Sequence, residues 1–271
     1  MKPRHVFNRL FLWIVVATAF AWSNPGRSFA FADAIGVDFS KTDLDRLLFR
    51  TIKSAGKGNW SFESGYLRAS IPAGKTDRPP MRLSAQVRLE GDFTIEAGYS
   101  IAKLPRPKSG DGRNNLEISI ATATGFVTLF RNVEVGPGDL YGYYIHKNSG
   151  DDLYERTPTT DSSGILRLSR KNGRLTFECG ENWSDLRTIG EVEFDKSPIT
   201  ETALQVLPYQ TTDALDVRFD RFTIKADRIV KLQDLNASGS TSVWKWVVAA
   251  LFSLIGIGAI ARGSRSKSER S

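Results

Sequence analysis

The chain has 271 residues, of which 41% are hydrophobic and 25% charged. That balance fits one or two globular domains and excludes disordered, collagen-like and polytopic membrane chains. The formal charge of +7 belongs to the two ends, because residues 35–242 hold 28 basic and 28 acidic side chains. A neutral middle lacks the footprint that nucleic acid requires, so no nucleic-acid partner is expected. A single cysteine excludes an internal disulfide framework, and two histidines, His5 and His146, leave little for multi-histidine metal sites.

In chain order, Lys2, Arg4 and Arg9 precede an apolar run from Leu10 to Trp22, broken by Pro25-Gly26. At about 1.5 Å per residue this run reaches only about 20 Å, short of a bilayer core of about 30 Å. Ala30, Ala32 and Ala34 offer small-residue cleavage sites. Residues 1–34 are therefore expected to be an N-terminal signal peptide helix, cut after Ala32 or Ala34.

Residues 35–235 show no sustained helical period. Asp43–Arg50 fits a short helix or an edge strand equally. Beyond it, short apolar-alternating runs are separated by Gly, Pro, Asn and Asp clusters. The expected strands are Trp60–Phe62, Tyr66–Ile71, Arg82–Leu89, Phe93–Ile101, Leu116–Ala121, Phe126–Arg131, Tyr141–His146, Ile165–Arg170, Leu175–Glu178, Thr188–Glu193, Ala203–Leu207 and Leu215–Ile224. Asn172-Gly173 predicts a tight hairpin, since both residues tolerate positive φ. A phase shift at Asp220-Arg221 predicts a β-bulge. About twelve such strands predict an all-β fold, an antiparallel two-sheet jelly-roll sandwich. A pair of smaller sandwiches is the alternative, although no linker divides the middle.

Residues 236–242 read as a flexible stalk. Val243 to Ala261 follows with one charge, Lys245, and is long enough to span a bilayer at about 28 Å. Trp244 and Trp246 sit where interfacial aromatics belong. Arg262, Arg265, Lys267 and Arg270 make residues 262–271 a basic tail, cytoplasmic by the positive-inside rule. The expected localisation is export, with the domain extracytoplasmic and tethered to the membrane through a single C-terminal transmembrane helix. A sorting signal that is later removed has the same layout, though it usually carries a motif absent here.

Three stretches carry a resemblance. Trp60–Leu67 resembles the opening hairpin of concanavalin A-like jelly rolls, and Gly91–Tyr99 their Gly-Asp-Phe strand. Gly164–Arg170 followed by Trp183 is similar to their Leu-Arg-Leu-x-Arg hairpin. With Ala102–Gly110 added, the chain most resembles an uncharacterised planctomycete family, domain of unknown function 1583. The resemblance implies a sandwich fold and a lineage, and no established activity. It also implies that structural calcium is a candidate cofactor, since the superfamily often uses it.

The chemistry is sparse. The sequence has no HExxH, CxxC, phosphate loop or nucleophile elbow. No catalysis is expected. If an acid pair exists, Glu178, Glu181, Glu191 and Glu193 are its candidates, and a solvated strand face explains the last two as well. Asp111, Asn114, Asp151 and Asp152 bring oxygens suited to calcium, in loops that also read as turns. Tyr141, Tyr143 and Trp183 are the candidate ligand-binding aromatics, weighed against core packing. The expected function is a polysaccharide- or envelope-protein-binding module. The alternatives are a glycan-active hydrolase or lyase and a structural scaffold of an envelope complex.

Overall fold

The computed structural model describes residues 33–37, 39, 45, 48–52, 58–75, 79–108 and 110–232. The segments read as a signal peptide helix and a transmembrane helix lie outside the described residues, as do the stalk and the basic tail. Among the described residues no helix is long and apolar enough to cross a membrane.

Fifteen strands follow one another: β1 (Asp33–Val37), β2 (Phe49–Ile52), β3 (Asn59–Glu63), β4 (Tyr66–Ile71), β5 (Met81–Ala85), β6 (Val87–Lys103), β7 (Arg113–Ala121), β8 (Gly125–Glu134), β9 (Gly138–Lys147), β10 (Leu153–Pro158), β11 (Ser163–Lys171), β12 (Arg174–Gly180), β13 (Arg187–Glu193), β14 (Glu201–Tyr209) and β15 (Leu215–Lys231). They form two antiparallel sheets. The eight-stranded sheet runs β13-β12-β11-β6-β15-β4-β3, with β1 added on β15. The seven-stranded sheet runs β10-β9-β8-β7-β14-β5-β2.

The two-period pattern explains the layering. Leu67, Ile95, Leu168, Phe177 and Phe222 point inward from one sheet, and Leu83, Leu116, Ile118, Leu129 and Leu204 from the other. All ten are buried and belong to one core cluster. Burying such side chains contributes about 1.5–3 kcal/mol each, which is what drives the two apolar faces together.

The hairpin expected at Asn172-Gly173 joins β11 to β12, with φ of 53° and 87° at the two residues. The β15 ladder shifts register between Phe219 and Arg221, where the bulge was expected. Gly98 makes that bulge sterically feasible, because a Cβ there would stand 2.0 Å from Asp220 Oδ1.

The segment Arg82–Leu89, expected as one strand, is two. The chain leaves the seven-stranded sheet after β5 and enters the other at β6, with only Gln86 between them. The undecided region before residue 50 contributes an edge strand, β2, paired with β5. Two strands were not anticipated. Strand β10 was missed because Tyr154-Glu155-Arg156 offers little apolar alternation. Strand β1 begins at Asp33, inside the segment read as signal peptide, and pairs with β15 from Asp33↔Ala226 to Val37↔Phe222.

Two buried polar groups tie the ends together. Arg170, 2% exposed, donates to the carbonyls of Gly91 and Ser197 and so clamps a bend of β6 to the β13–β14 loop. The Tyr99 and Tyr141 hydroxyls meet at 2.7 Å inside the sandwich, and Tyr141 donates to Asp161 at 3.0 Å. Burial raises both phenols above their ordinary value.

Candidate functional site

The outer face of the seven-stranded sheet is where polar chemistry concentrates. On β7, Leu116, Ile118 and Ile120 face the core, so alternation sends Arg113, Asn115, Glu117 and Ser119 outward. On β8 the outward set is Phe126, Thr128, Phe130, Asn132 and Glu134, brought alongside by the register Glu117↔Phe130 and Asn115↔Asn132. Strand β14 adds Gln205, Leu207 and Tyr209 through Gln205↔Glu117, Leu207↔Asn115 and Tyr209↔Arg113. Strands β9 and β10 add Tyr144 and Tyr154, directly opposite one another. All of these but Ser119, Glu134, Gln205 and Tyr209 line a cleft of about 490 Å³, within the size range of small-molecule sites.

Its floor is buried and polar. Asn132 is 1% exposed, Asn115 4% and Glu117 7%. Gln205 Nε2 donates to Glu117 Oε1 at 3.2 Å, and Asn115 Nδ2 approaches Glu117 Oε2 at 3.5 Å. Burial pushes the Glu117 carboxyl up to about 7, against the opposing pull of Asn115, Arg113 and Arg82. Asn132 Nδ2 donates to Glu134 Oε1 at 2.9 Å. Burial would raise Glu134 too, but the Tyr154 hydroxyl, Arg156 and Asn132 all hydrogen-bond to it and hold it below its ordinary value. One face thus carries a carboxyl that keeps its proton to near neutrality and another that stays ionised.

Asn132 turns its Nδ2 to the ionised Glu134, and the Oδ1 atoms of Asn115 and Asn132 are buried with no hydrogen-bond partner.

The walls are aromatic. Phe126 is 40% exposed and Tyr154 37%. Phe130 stacks on Tyr154 with ring centroids 5.7 Å apart, and Phe126 packs edge-on to Tyr144 at 5.6 Å. At the β9–β10 end, Asp152 accepts from the Tyr144 hydroxyl at 2.6 Å and contacts His146 Nδ1 at 2.8 Å. Burial, and then that bond, push the Tyr144 phenol up to about 12.

The residues singled out from sequence fall elsewhere. Tyr141 and Tyr143 are 0% and 5% exposed and point between the sheets, where Tyr143 stacks on Phe177 at 4.1 Å. They are core residues, and the ligand-accessible tyrosine of that strand is Tyr144. The two-residue period was right and its phase was reversed, because both faces of β9 carry tyrosine. Trp183 is exposed on the other sheet's outer side, between Arg167 at 5.3 Å and Arg221 at 4.8 Å.

The acids do not converge. Glu178 lies 3.7 Å from Arg167, while Glu191 and Glu193 flank Arg174 at 2.9 Å each on the exposed edge. Glu181 sits in the exposed turn after β12. These are solvated, paired charges rather than an acid pair facing a cleft. The calcium candidates split between opposite ends of the seven-stranded sheet: Asp111 and Asn114 beside the start of β7, Asp151 and Asp152 after β9. Asn114 is fully buried and donates to the Pro105 carbonyl. Among the described residues no three acidic, His or Cys side chains group to hold a metal ion. Cys179 is buried in the core, its thiol pushed up to about 11 by desolvation.

A second hollow of about 540 Å³ lies at one end, lined by Thr124, Lys147, Asn148 and Asp195 among others. Both its acids are committed, since Asp195 accepts from Thr124 and Ser197 and Glu193 is paired with Arg174.

Together the strands define an antiparallel two-sheet β-sandwich with a cleft on one outer face. Residues 30–243 match the protein of unknown function (DUF1583) C domain, and the chain belongs to that family. A search of curated protein sequences gives no match. Among solved structures, one reported with endo-acting O-glycanases that initiate mucin breakdown in the human gut microbiota aligns with TM-score 0.54 and 12% identity, covering 70% of this chain and 98% of the other. A glycosyl hydrolase family protein from Mycobacterium fortuitum aligns with TM-score 0.54 and 11% identity over 72% and 99%. The CBM2 module of the evolved Dit of Lactobacillus casei BL23 phage J-1 aligns with TM-score 0.53 and 8% identity over 72% and 96%. At such identities the likeness is one of fold.

Proposed function

We propose that this chain is an exported, membrane-tethered glycan-binding module, and that the cleft on the outer face of the seven-stranded sheet is its binding site. The observation that carries the reading is the cleft itself, lined by the polar Asn115, Glu117 and Asn132 and by the exposed rings of Phe126 and Tyr154. Sugars supply both complements: hydroxyls for the polar side chains and C–H faces for the rings. The tether and the export signal rest on the apolar segments at the two ends of the sequence. A cut after Ala32 would leave β1 whole, whereas a cut after Ala34 would remove two of its five residues.

An enzymatic reading has one observation in its favour, the near-neutral Glu117. Its natural partner would be Glu134. Glu134, however, is committed to Tyr154, Arg156 and Asn132. Binding without hydrolysis is the first reading, and an atypical lyase or hydrolase using Glu117 is the second.

The test is a glycan and polysaccharide binding screen on the purified full chain, beside the Phe126→Ala/Tyr154→Ala double variant. Binding by the wild type, lost by at least about tenfold in a variant whose circular dichroism is unchanged, supports the cleft. A folded wild type that binds no glycan, or a double variant that binds equally well, overturns it. Steady release of reducing ends or unsaturated products, abolished by Glu117→Gln, would replace binding with catalysis.

A further inference from the structure

Arginines on the cleft face differ in how they are used. Arg82 is paired with Glu201, and Arg156 donates to Glu134 at 2.7 Å. Arg113 makes no hydrogen bond or ion pair among the described residues. Its guanidinium lies 4.7 Å over the Tyr209 ring, and its Nε is buried without an acceptor. Stacking of this kind holds the planar fork in place without consuming its donors.

The carboxyls nearby do not neutralise it. Glu134, its cross-strand partner, is taken by Tyr154, Arg156 and Asn132. Glu117, on the same strand, is buried and keeps its proton to near neutrality. At this end two guanidinium groups, Arg113 and Arg156, face one engaged carboxylate. Asn115 and Asn132 occupy the adjoining row, opposite one another and about 5 Å apart at Cβ. The Arg113 fork is therefore the unspent cation of this end of the cleft.

We propose that the glycan taken by this cleft is acidic, and that Arg113, held on Tyr209, binds its anionic substituent, a carboxylate or a sulfate. A neutral sugar would leave the Arg113 fork facing weak acceptors, whereas a carboxylate or sulfate matches it through charge-assisted bonds. This inference rests on the cleft being the glycan site and adds its substrate class.

The experiment titrates the full chain with four probes by calorimetry: a polyuronate, the same polymer with its carboxyls reduced to alcohols, a sulfated polysaccharide, and its desulfated counterpart. The expected result is binding of at least one charged polymer about 10- to 100-fold tighter than its neutral counterpart. Whichever pair shows the gap identifies carboxylate or sulfate as the source. Arg113→Gln should erase the gap with circular dichroism unchanged. Arg113→Lys, which keeps the charge but not the planar fork, should restore it in part. Equal or tighter binding of the neutral polymers overturns this inference and leaves the glycan cleft standing. A gap that survives Arg113→Gln in a folded variant overturns it as well. Binding to none of the four, or to any glycan in the wider screen, removes the cleft and this inference together.

Discussion

The two sheets differ on their outer faces. The eight-stranded sheet carries ladders of paired charges, Glu63 and Asp216 with Arg68, Glu96 and Glu178 with Arg167, Glu191 and Glu193 with Arg174, and Arg221 stacks on Trp183. On the seven-stranded sheet the pairs Arg82–Glu201 and Arg156–Glu134 stand beside a buried carboxyl, Glu117, and beside Arg113 resting on a ring. What sets the second face apart is concavity: its polar side chains line a cleft, whereas the Arg174 ladder lies in solvent.

Several measurements would break or sharpen that contrast. The largest effect belongs to a charge on neither outer face. Arg170→Ala should cost about 3–5 kcal/mol, because it abandons the Gly91 and Ser197 carbonyls inside the sandwich. A loss below about 1 kcal/mol in urea denaturation would mean that the clamp is dispensable.

Next comes Glu117. Its carboxyl titrates at about 7 in the folded chain and near 4.5 in a free glutamate, so between those values the folded state holds a proton that the unfolded state has released. Stability should therefore be greatest below about pH 4.5 as far as this group is concerned. It should fall as pH rises through about 7, by about 3 kcal/mol in all. The groups facing Glu117 are Asn115, Gln205, Arg113 and Arg82. Glu117→Gln should flatten this part of the pH–stability curve. An unchanged slope in that variant would assign the effect to another group.

The smallest effect is expected on the paired face. Arg174→Ala removes two ion pairs whose members are 46% or more exposed. It should leave stability almost unchanged, the more so in high salt. A larger loss in a thermal melt would show that this edge is structural rather than merely solvated.

Much of the fold was legible from the residues alone. The Asn172-Gly173 hairpin and the bulge at Asp220-Arg221 follow from local chemistry that no distant contact overrides. The site was not legible, for two physical reasons. Asn115, Glu117 and Ser119 alternate with Leu116, Ile118 and Ile120 as any solvated strand face does. What makes the first two a cleft floor is the company of β8 and β14, which sequence spacing does not reveal. On β9, Tyr141, Tyr143 and Tyr144 are chemically alike, so pattern alone could not say which side faced in. Burial and the Tyr143–Phe177 stack decide it. Strand β10, which brings Tyr154 to the cleft, is short and charged, and its pairing with β9 defines it more than its own composition does.

Strand β15 has a consequence of another kind. It is the last strand of the sandwich, yet it lies in the middle of the eight-stranded sheet, between β6 and β4. Until it is in place, β3-β4 and β6-β11-β12-β13 have no ladder joining them. The seven-stranded sheet, by contrast, is complete once β14 has been made. A chain leaving the ribosome therefore holds all the strands of its proposed binding sheet before the sheet behind it can close. Because the closing partner of β6 lies more than 110 residues downstream in every pairing, from Asp216↔Lys103 to Lys231↔Val87, assembly is dominated by distant contacts, and folding should be slow for a domain of this size.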